Sequence, residues 1–121
     1  MPRFRRVQKL DANHIQVCTE ARQQGVDVVE ILKPVDAIAH LAGYVSFIEI
    51  KSQKVFTREQ LKFISETRFP VAVVRSGSEL VDVMRNKKAL SQKQKDEVSA
   101  FLLREKADKW NRIELDQMLT V

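Results

Sequence analysis

A single cysteine, Cys18, occurs among the 121 residues, so no disulfide can close within the chain and a reducing compartment is the natural expectation. Long hydrophobic runs are also missing. Asp36, His40, Glu49 and Lys51 interrupt the most apolar region, and nothing approaches the roughly 18 apolar residues that a membrane-spanning helix needs. The opening Met1-Pro2-Arg3-Phe4-Arg5-Arg6 is basic but has no apolar stretch behind it, so a secretory leader is not expected and the cytoplasm is the expected location. His14 and His40 have neither zinc-ligand spacing nor a cysteine pair nearby, which argues against a zinc centre and leaves both as structural or exposed residues. Internal repeats and low-complexity linkers are absent as well.

What is present describes an ordinary globular protein. Apolar residues make up 44% and charged residues 31%, which is too hydrophobic for disorder, and the length fits one compact domain around one core. The 21 basic and 16 acidic residues leave a formal charge of +5, and the excess is clustered. Residues 1 to 9 hold Arg3, Arg5, Arg6 and Lys9 with no acid. Residues 85 to 95 hold Arg85, Lys87, Lys88, Lys93 and Lys95, again with none. Both runs are candidate phosphate-binding surfaces, against the plainer reading that they are solvated faces.

The pattern along the chain is mixed. A helix is expected from residue 12 to about 24, with Asp11 or Asn13 as N-cap, Ile15, Cys18 and Ala21 on its inward stripe, and Gly25 closing it. Strands are expected from Val26 to Leu32, from Val35 to Leu41 and from Tyr44 to Lys51, the last two joined by Ala42-Gly43 in an antiparallel meander. Thr57-Arg58-Glu59-Gln60 reads as a capping box opening a helix with Leu61 and Ile64 facing inward. Val71 to Val74 is an unbroken apolar run of the kind buried on both faces of a sheet. Ser76-Gly77-Ser78-Glu79 starts another helix. Ser91 to Gln94 is a further capping box, before a helix striped by Val98, Phe101 and Leu102. Residues 1–90 are expected to form the core unit with a basic N-terminal arm. Residues 91–121 are expected to form a helical extension packed on that core or on a partner subunit.

One segment invites a chemical reading. In Phe47-Ile48-Glu49-Ile50-Lys51 two charged residues interrupt an apolar strand, and the two-residue period puts both on one face. Burying such a pair is costly unless its members pair with each other or with something stronger, such as a metal ion; the alternative is a strand end whose tips reach water. Asp36 begins the preceding strand, and the hairpin returns the chain so that Glu49 lies near it. Two convergent carboxylates favour a hard divalent cation, Mg²⁺ or Mn²⁺, with the backbone carbonyl of Ile50 as a further oxygen donor. Lys51 beside such an ion is placed to orient or deprotonate a water and to stabilise charge on a phosphate oxygen, which is the chemistry of phosphodiester hydrolysis.

Pro34-Val35-Asp36, twelve intervening residues and Glu49-Ile50-Lys51 together resemble the PD-(D/E)XK nuclease signature. The likeness extends over about residues 11 to 84, through Asp11-Ala12-Asn13-His14, Gly25, Thr57 to Gln60 and Val73-Val74-Arg75-Ser76. It points to small phage and bacterial members akin to the VRR-Nuc and Holliday-junction-resolvase groups. The resemblance implies an α/β fold, a restriction-endonuclease-like αβββαβ core with a mixed central sheet, here carrying extra C-terminal helices. It further implies Asp36, Glu49 and Ile50 as metal ligands, Lys51 as the catalytic lysine, and Gln60 as a site residue, although Gln60 also has a capping role open to it. Gln16 stands where many relatives carry a glutamate on the first helix; Glu20, one turn later, is either its replacement at the metal or a solvated residue. Lys33-Pro34-Val35 replaces the glycine-rich approach to the first acid.

The function expected is therefore a metal-dependent DNA endonuclease, working on branched or otherwise structured DNA in a bacterial or phage-infected host cell. Arg3, Arg5, Arg6, Lys54, Arg58 and Lys62 are the expected phosphate contacts. A homodimer is expected by analogy, with the C-terminal helices as its interface. The alternative is a DNA-binding or assembly module that keeps the nuclease fold without turnover, and a third reading makes the basic clusters incidental.

Overall fold

The computed structural model describes residues 12–51 and 56–104. Along the chain the elements are α1 (Ala12–Gln23), β1 (Asp27–Glu30), β2 (Ala37–Leu41), β3 (Tyr44–Ile50), α2 (Arg58–Glu66), β4 (Val71–Val74), α3 (Gly77–Asn86) and α4 (Gln92–Arg104). The four strands form one mixed sheet in the order β1-β2-β3-β4, the first two neighbouring pairs being antiparallel and β4 running parallel to β3. This is an α/β fold, and the meander expected from residues 26 to 51 is present.

Local signals explain most of the boundaries. Ala42 and Gly43 both have positive φ, 52° and 83°, which is the geometry of a tight hairpin turn whose twist matches the flanking strands. Thr57 caps α2 through the reciprocal box with Gln60. Ser76 Oγ accepts from the Glu79 amide at 3.1 Å, and Ser91 and Gln94 exchange bonds of 2.8 and 3.1 Å at the head of α4. Strand β1 is shorter than expected: the amides of Ile31 and Leu32 both turn to the carbonyl of Asp36, at 2.9 and 3.3 Å, instead of continuing the ladder. Asp11, an alternative N-cap, lies outside the described residues, and Asn13 falls inside the first turn of α1 rather than before it.

Two apolar layers sandwich the sheet. One face carries Val28, Ala37, Ala39, Ile48, Ile50, Ala72 and Val74 against α1 and α3. The opposite face carries Phe47, Val71 and Val73 against α2 and α4, through Leu61, Ile64, Val98, Phe101 and Leu102. The four residues of β4 are buried throughout, as its unbroken apolar run requires. The first part of the C-terminal extension, α4, thus packs on the core.

The stripe of α1 differs from the one expected. Ile15 is 56% exposed, whereas Val17, Cys18 and Ala21 are buried. Cys18 and Ala21 are inward as expected, but Val17 and not Ile15 joins them, so the inward face is the i, i+3, i+4, i+7 set 14, 17, 18 and 21, which brings His14 toward the sheet. Helix α1 also approaches α3 closely. A Cβ on Gly77 would lie 2.5 Å from Glu20 Cβ and 3.2 Å from the Val17 carbonyl, so only glycine lets the two helices meet this way.

Candidate functional site

The β2–β3 register pairs Ala37 with Ile48, which carries Asp36 opposite Glu49 at the end of the ladder. Asp36 Oδ2 accepts the Ile50 amide at 2.7 Å, fixing the carboxylate against the strand that holds the other two expected residues. Lys51 follows β3 directly, and its own amide donates to the Val74 carbonyl at 2.9 Å, so the parallel strand β4 anchors the backbone beneath it. The lysine side chain, 17% exposed, extends to 3.2 Å from Glu49 Oε2 and 3.1 Å from Gln60 Oε1, with its ammonium 5.2 Å from the ring centre of buried Phe56. Asp36, Glu49, Lys51 and Gln60 are thus brought together.

Glu49 is the anomaly in this group. Its side chain is 1% exposed, which overturns the reading of a strand end reaching water. The Lys51 ammonium sits at ion-pair distance, yet neither carboxylate oxygen has a directed hydrogen-bond partner among the described residues. The attraction is one of charge without direction, which compensates burial poorly. Burial first, and the adjacent Asp36 carboxylate second, push the Glu49 carboxyl up to about 7, with Lys51 offsetting part of the rise.

Gln60 combines the two roles open to it. Its Oε1 accepts from Lys51 Nζ and, at 3.0 Å, from the Thr57 amide, so the bond that closes the capping box also orients the lysine. An open cleft of about 630 Å³ adjoins this contact, walled by Leu32, Lys33 and Pro34 on one side and Thr57, Glu59 and Gln60 on the other. That volume falls within the range of about 300–1,000 Å³ usual for ligand sites.

Other expected residues are placed differently. Glu20 lies against the start of α3, with Oε1 within 2.6 Å of where a Gly77 Cβ would stand and Oε2 accepting from Gln16 at 3.3 Å. It is six residues beyond His14, about 9 Å along the helix axis, and it serves the helix contact rather than the carboxylate cluster. Arg58 reaches across to the Leu102 carbonyl at 2.9 Å, tying α2 to the last turn of α4. Lys62 is exposed beside it, lining a shallow groove with Ser65, Ser99 and Leu103. Arg3, Arg5, Arg6 and Lys54 lie outside the described residues.

The second basic run is smaller than its sequence suggests. Lys95 is buried and donates to the carbonyls of Thr67 and Phe69 at 2.8 and 3.1 Å, closing the end of α2, while Lys88 pairs with Asp82 at 2.9 Å. Leu90 bonds the carbonyl of Val71, so this run lies at the end of the sheet away from Ile50 and Val74.

His14 is the residue that sequence reasoning left out. Its Nε2 stands 3.2 Å from the carbonyl oxygen of Ile50 and 3.8 Å from Asp36 Oδ2. The signal that could have found it is Val17: choosing Val17 with Cys18 and Ala21 as the stripe rotates His14 inward. Among the described residues, no group of three or more histidine, cysteine, aspartate or glutamate side chains is gathered closely enough to hold a metal ion as it stands. No helix among them is long and apolar enough to cross a membrane. Comparison of the chain with family models, with curated proteins and with solved structures returns no match.

Proposed function

We propose that the protein is a divalent-metal-dependent DNA endonuclease of the PD-(D/E)XK kind, with Asp36, Glu49 and Lys51 at its centre. One observation carries this reading: a fully buried carboxylate, Glu49, ion-paired with Lys51 at 3.2 Å but with neither oxygen hydrogen-bonded among the described residues, placed beside a second carboxylate. A fold tolerates such a group when something outside the protein compensates it, and a hard cation does so best. The donor set fits: Asp36 and Glu49 would hold the ion, and the Ile50 carbonyl lies on the residue whose amide already binds Asp36. Bound Mg²⁺ or Mn²⁺ supplies positive charge that lowers the pKa of a water and neutralises a phosphate oxygen. The element order α1-β1-β2-β3-α2-β4 supports the same reading, being the order that the sequence resemblance implies.

The chain's own groups divide the remaining work. Lys51, oriented by Gln60, donates to a nonbridging phosphate oxygen and so favours the charge that develops as the phosphorus is attacked. Asp36 is held in place by the Ile50 amide, which donates to its Oδ2 at 2.7 Å. The cleft between Leu32–Pro34 and Thr57–Gln60 gives the substrate strand an approach on the lysine side. Branched DNA is the proposed substrate class, a homodimer the proposed assembly, and the bacterial or phage-infected cytoplasm the proposed setting. Labelled junction, flap, duplex and single-stranded DNA incubated with Mg²⁺ or Mn²⁺ test this: cleavage is expected, and is expected to disappear in Asp36→Asn, Glu49→Gln and Lys51→Ala. Cleavage that survives in all three variants rejects the proposal.

A second reading, a DNA-binding or assembly module without turnover, draws on the lack of a ready-made three-ligand cluster among the described residues. Calorimetry separates the two, because the module binds DNA without first binding Mg²⁺ or Mn²⁺.

A further inference from the structure

Resting on the nuclease reading above, we infer that Leu32 determines which DNA the cleft accepts: its side chain packs on a base that has left its stack beside the scissile phosphate. Leu32 has a φ of 71°, and the Lys33 amide donates to the Ile31 carbonyl at 2.8 Å, which closes a three-residue γ-turn with Leu32 at its tip. With positive φ at its centre such a turn is rare and strained, and glycine, asparagine or aspartate fills that conformation more readily. The leucine placed there is also 46% exposed. Neither the backbone nor water favours a large apolar side chain at this spot, so folding alone does not account for it. Strain held in one residue at the rim of a cleft points to a contact outside the protein.

What holds the turn also ties it to the carboxylate centre. The amides of Ile31 and Leu32 converge on the Asp36 carbonyl at 2.9 and 3.3 Å, while Asp36 Oδ2 accepts the Ile50 amide at 2.7 Å. Val35, 1% exposed, anchors the returning chain in the interior. One aspartate therefore carries the leucine turn on its main chain and offers its carboxylate to the proposed centre. The separation of the two is set by hydrogen bonds and not by a free loop.

The surroundings select the ligand. Leu32 lines the cleft of about 630 Å³ with Lys33 and Pro34, opposite Thr57, Glu59 and Gln60, and Gln60 Oε1 accepts from Lys51 Nζ at 3.1 Å. An apolar tip followed directly by exposed Lys33 matches a nucleotide, with a flat base face for the leucine and a phosphate for the ammonium. Glu59 on the facing wall repels phosphate, so the DNA backbone keeps to the side of Lys33 and Lys51. A stacked duplex offers base edges and no free face. Unstacking is costly there and nearly free at a flap or a branch point, so the contact with Leu32 discriminates in favour of these.

A flap DNA and a continuous duplex of matched sequence, each with 2-aminopurine at the nucleotide next to the junction position, test this with the full chain. Fluorescence follows binding in a chelator, and single-turnover rates follow cleavage in Mn²⁺. Wild type is expected to raise the fluorescence of the flap as the base leaves its stack, and Leu32→Ala is not. The ratio of flap to duplex cleavage rates is expected to fall about tenfold in Leu32→Ala, the effect of withdrawing one leucine from an apolar contact, and to be kept in Leu32→Met. Leu32→Gly fits the turn without strain and is expected to lose the preference as alanine does, which separates the side chain from the turn. Fluorescence that stays level when wild type binds, or flap and duplex rates that fall in step in folded Leu32→Ala, overturns the role of Leu32 and leaves the nuclease reading standing. A wild type that unstacks the base but cleaves neither DNA rejects turnover and keeps the contact. Failure of wild type to bind either DNA overturns both.

Discussion

Replacing Glu49 by glutamine should make the metal-free protein more stable at neutral and alkaline pH while removing cleavage. The carboxyl is raised from 4.5 to about 7 by burial and by Asp36. One pKa unit corresponds to about 1.4 kcal/mol, so the folded state holds this proton roughly 3 kcal/mol more tightly than the unfolded chain does. A raised carboxyl contributes stability that is complete below the unfolded value of 4.5 and is lost as pH rises through the folded value of about 7. Wild type therefore loses roughly 3 kcal/mol through this group between about pH 4 and about pH 8, and Glu49→Gln, which resembles the protonated acid at every pH, does not. Whatever the fixed cost of the amide, the stability of the variant minus that of wild type should grow by this amount across the window. Urea unfolding of both proteins in a chelator, at a series of pH values, measures the difference directly. A difference that stays flat, or that shrinks as pH rises, refutes the view that Glu49 is a buried acid whose charge Lys51 offsets only in part. Saturating Mn²⁺ should close the gap at about pH 8 by stabilising wild type alone.

Thr57→Ala removes only the hydroxyl that accepts the Gln60 amide at 3.2 Å, and it should cost about 1 kcal/mol of stability with cleavage kept. Gln60→Ala also releases Lys51, so it should cost a similar amount and in addition slow cleavage about tenfold; parallel melting curves and single-turnover rates distinguish the pair. Gly77→Ala forces a Cβ against Glu20 Cβ at 2.5 Å, and should destabilise the fold by about 1–3 kcal/mol in urea titrations, because α1 must shift to admit it.

The parts of this fold that depend on neighbours in sequence were legible in advance. Capping boxes at Thr57 and Ser91, the Ala42-Gly43 turn and the apolar run of β4 are each settled within a few residues, and each is present. The approach of Asp36 to Glu49 was legible too, since hairpin register follows from turn length. Features decided by distant packing were not. The phase of α1 was misread because Ile15 is the more hydrophobic neighbour of His14, yet only the rotation with Val17 inward suits the contact with α3. Lys95 reads as one more surface cation until two carbonyls at the end of α2 are seen to receive it. The bond from Arg58 to the Leu102 carbonyl at 2.9 Å was not legible either, because it depends on where α4 packs.

Ile50 links two regions that sequence distance and side-chain direction would keep apart. Its side chain is buried in the layer formed with α1 and α3, while its amide binds Asp36 and its carbonyl faces His14. A methylene lost from that interior would thus be read out as a displaced carbonyl oxygen beside His14 and a displaced amide beside Asp36. Under the proposed function, Ile50→Val, chosen for a core effect, is expected to change the cleavage rate as well as stability, which single-turnover rates beside urea titrations would measure.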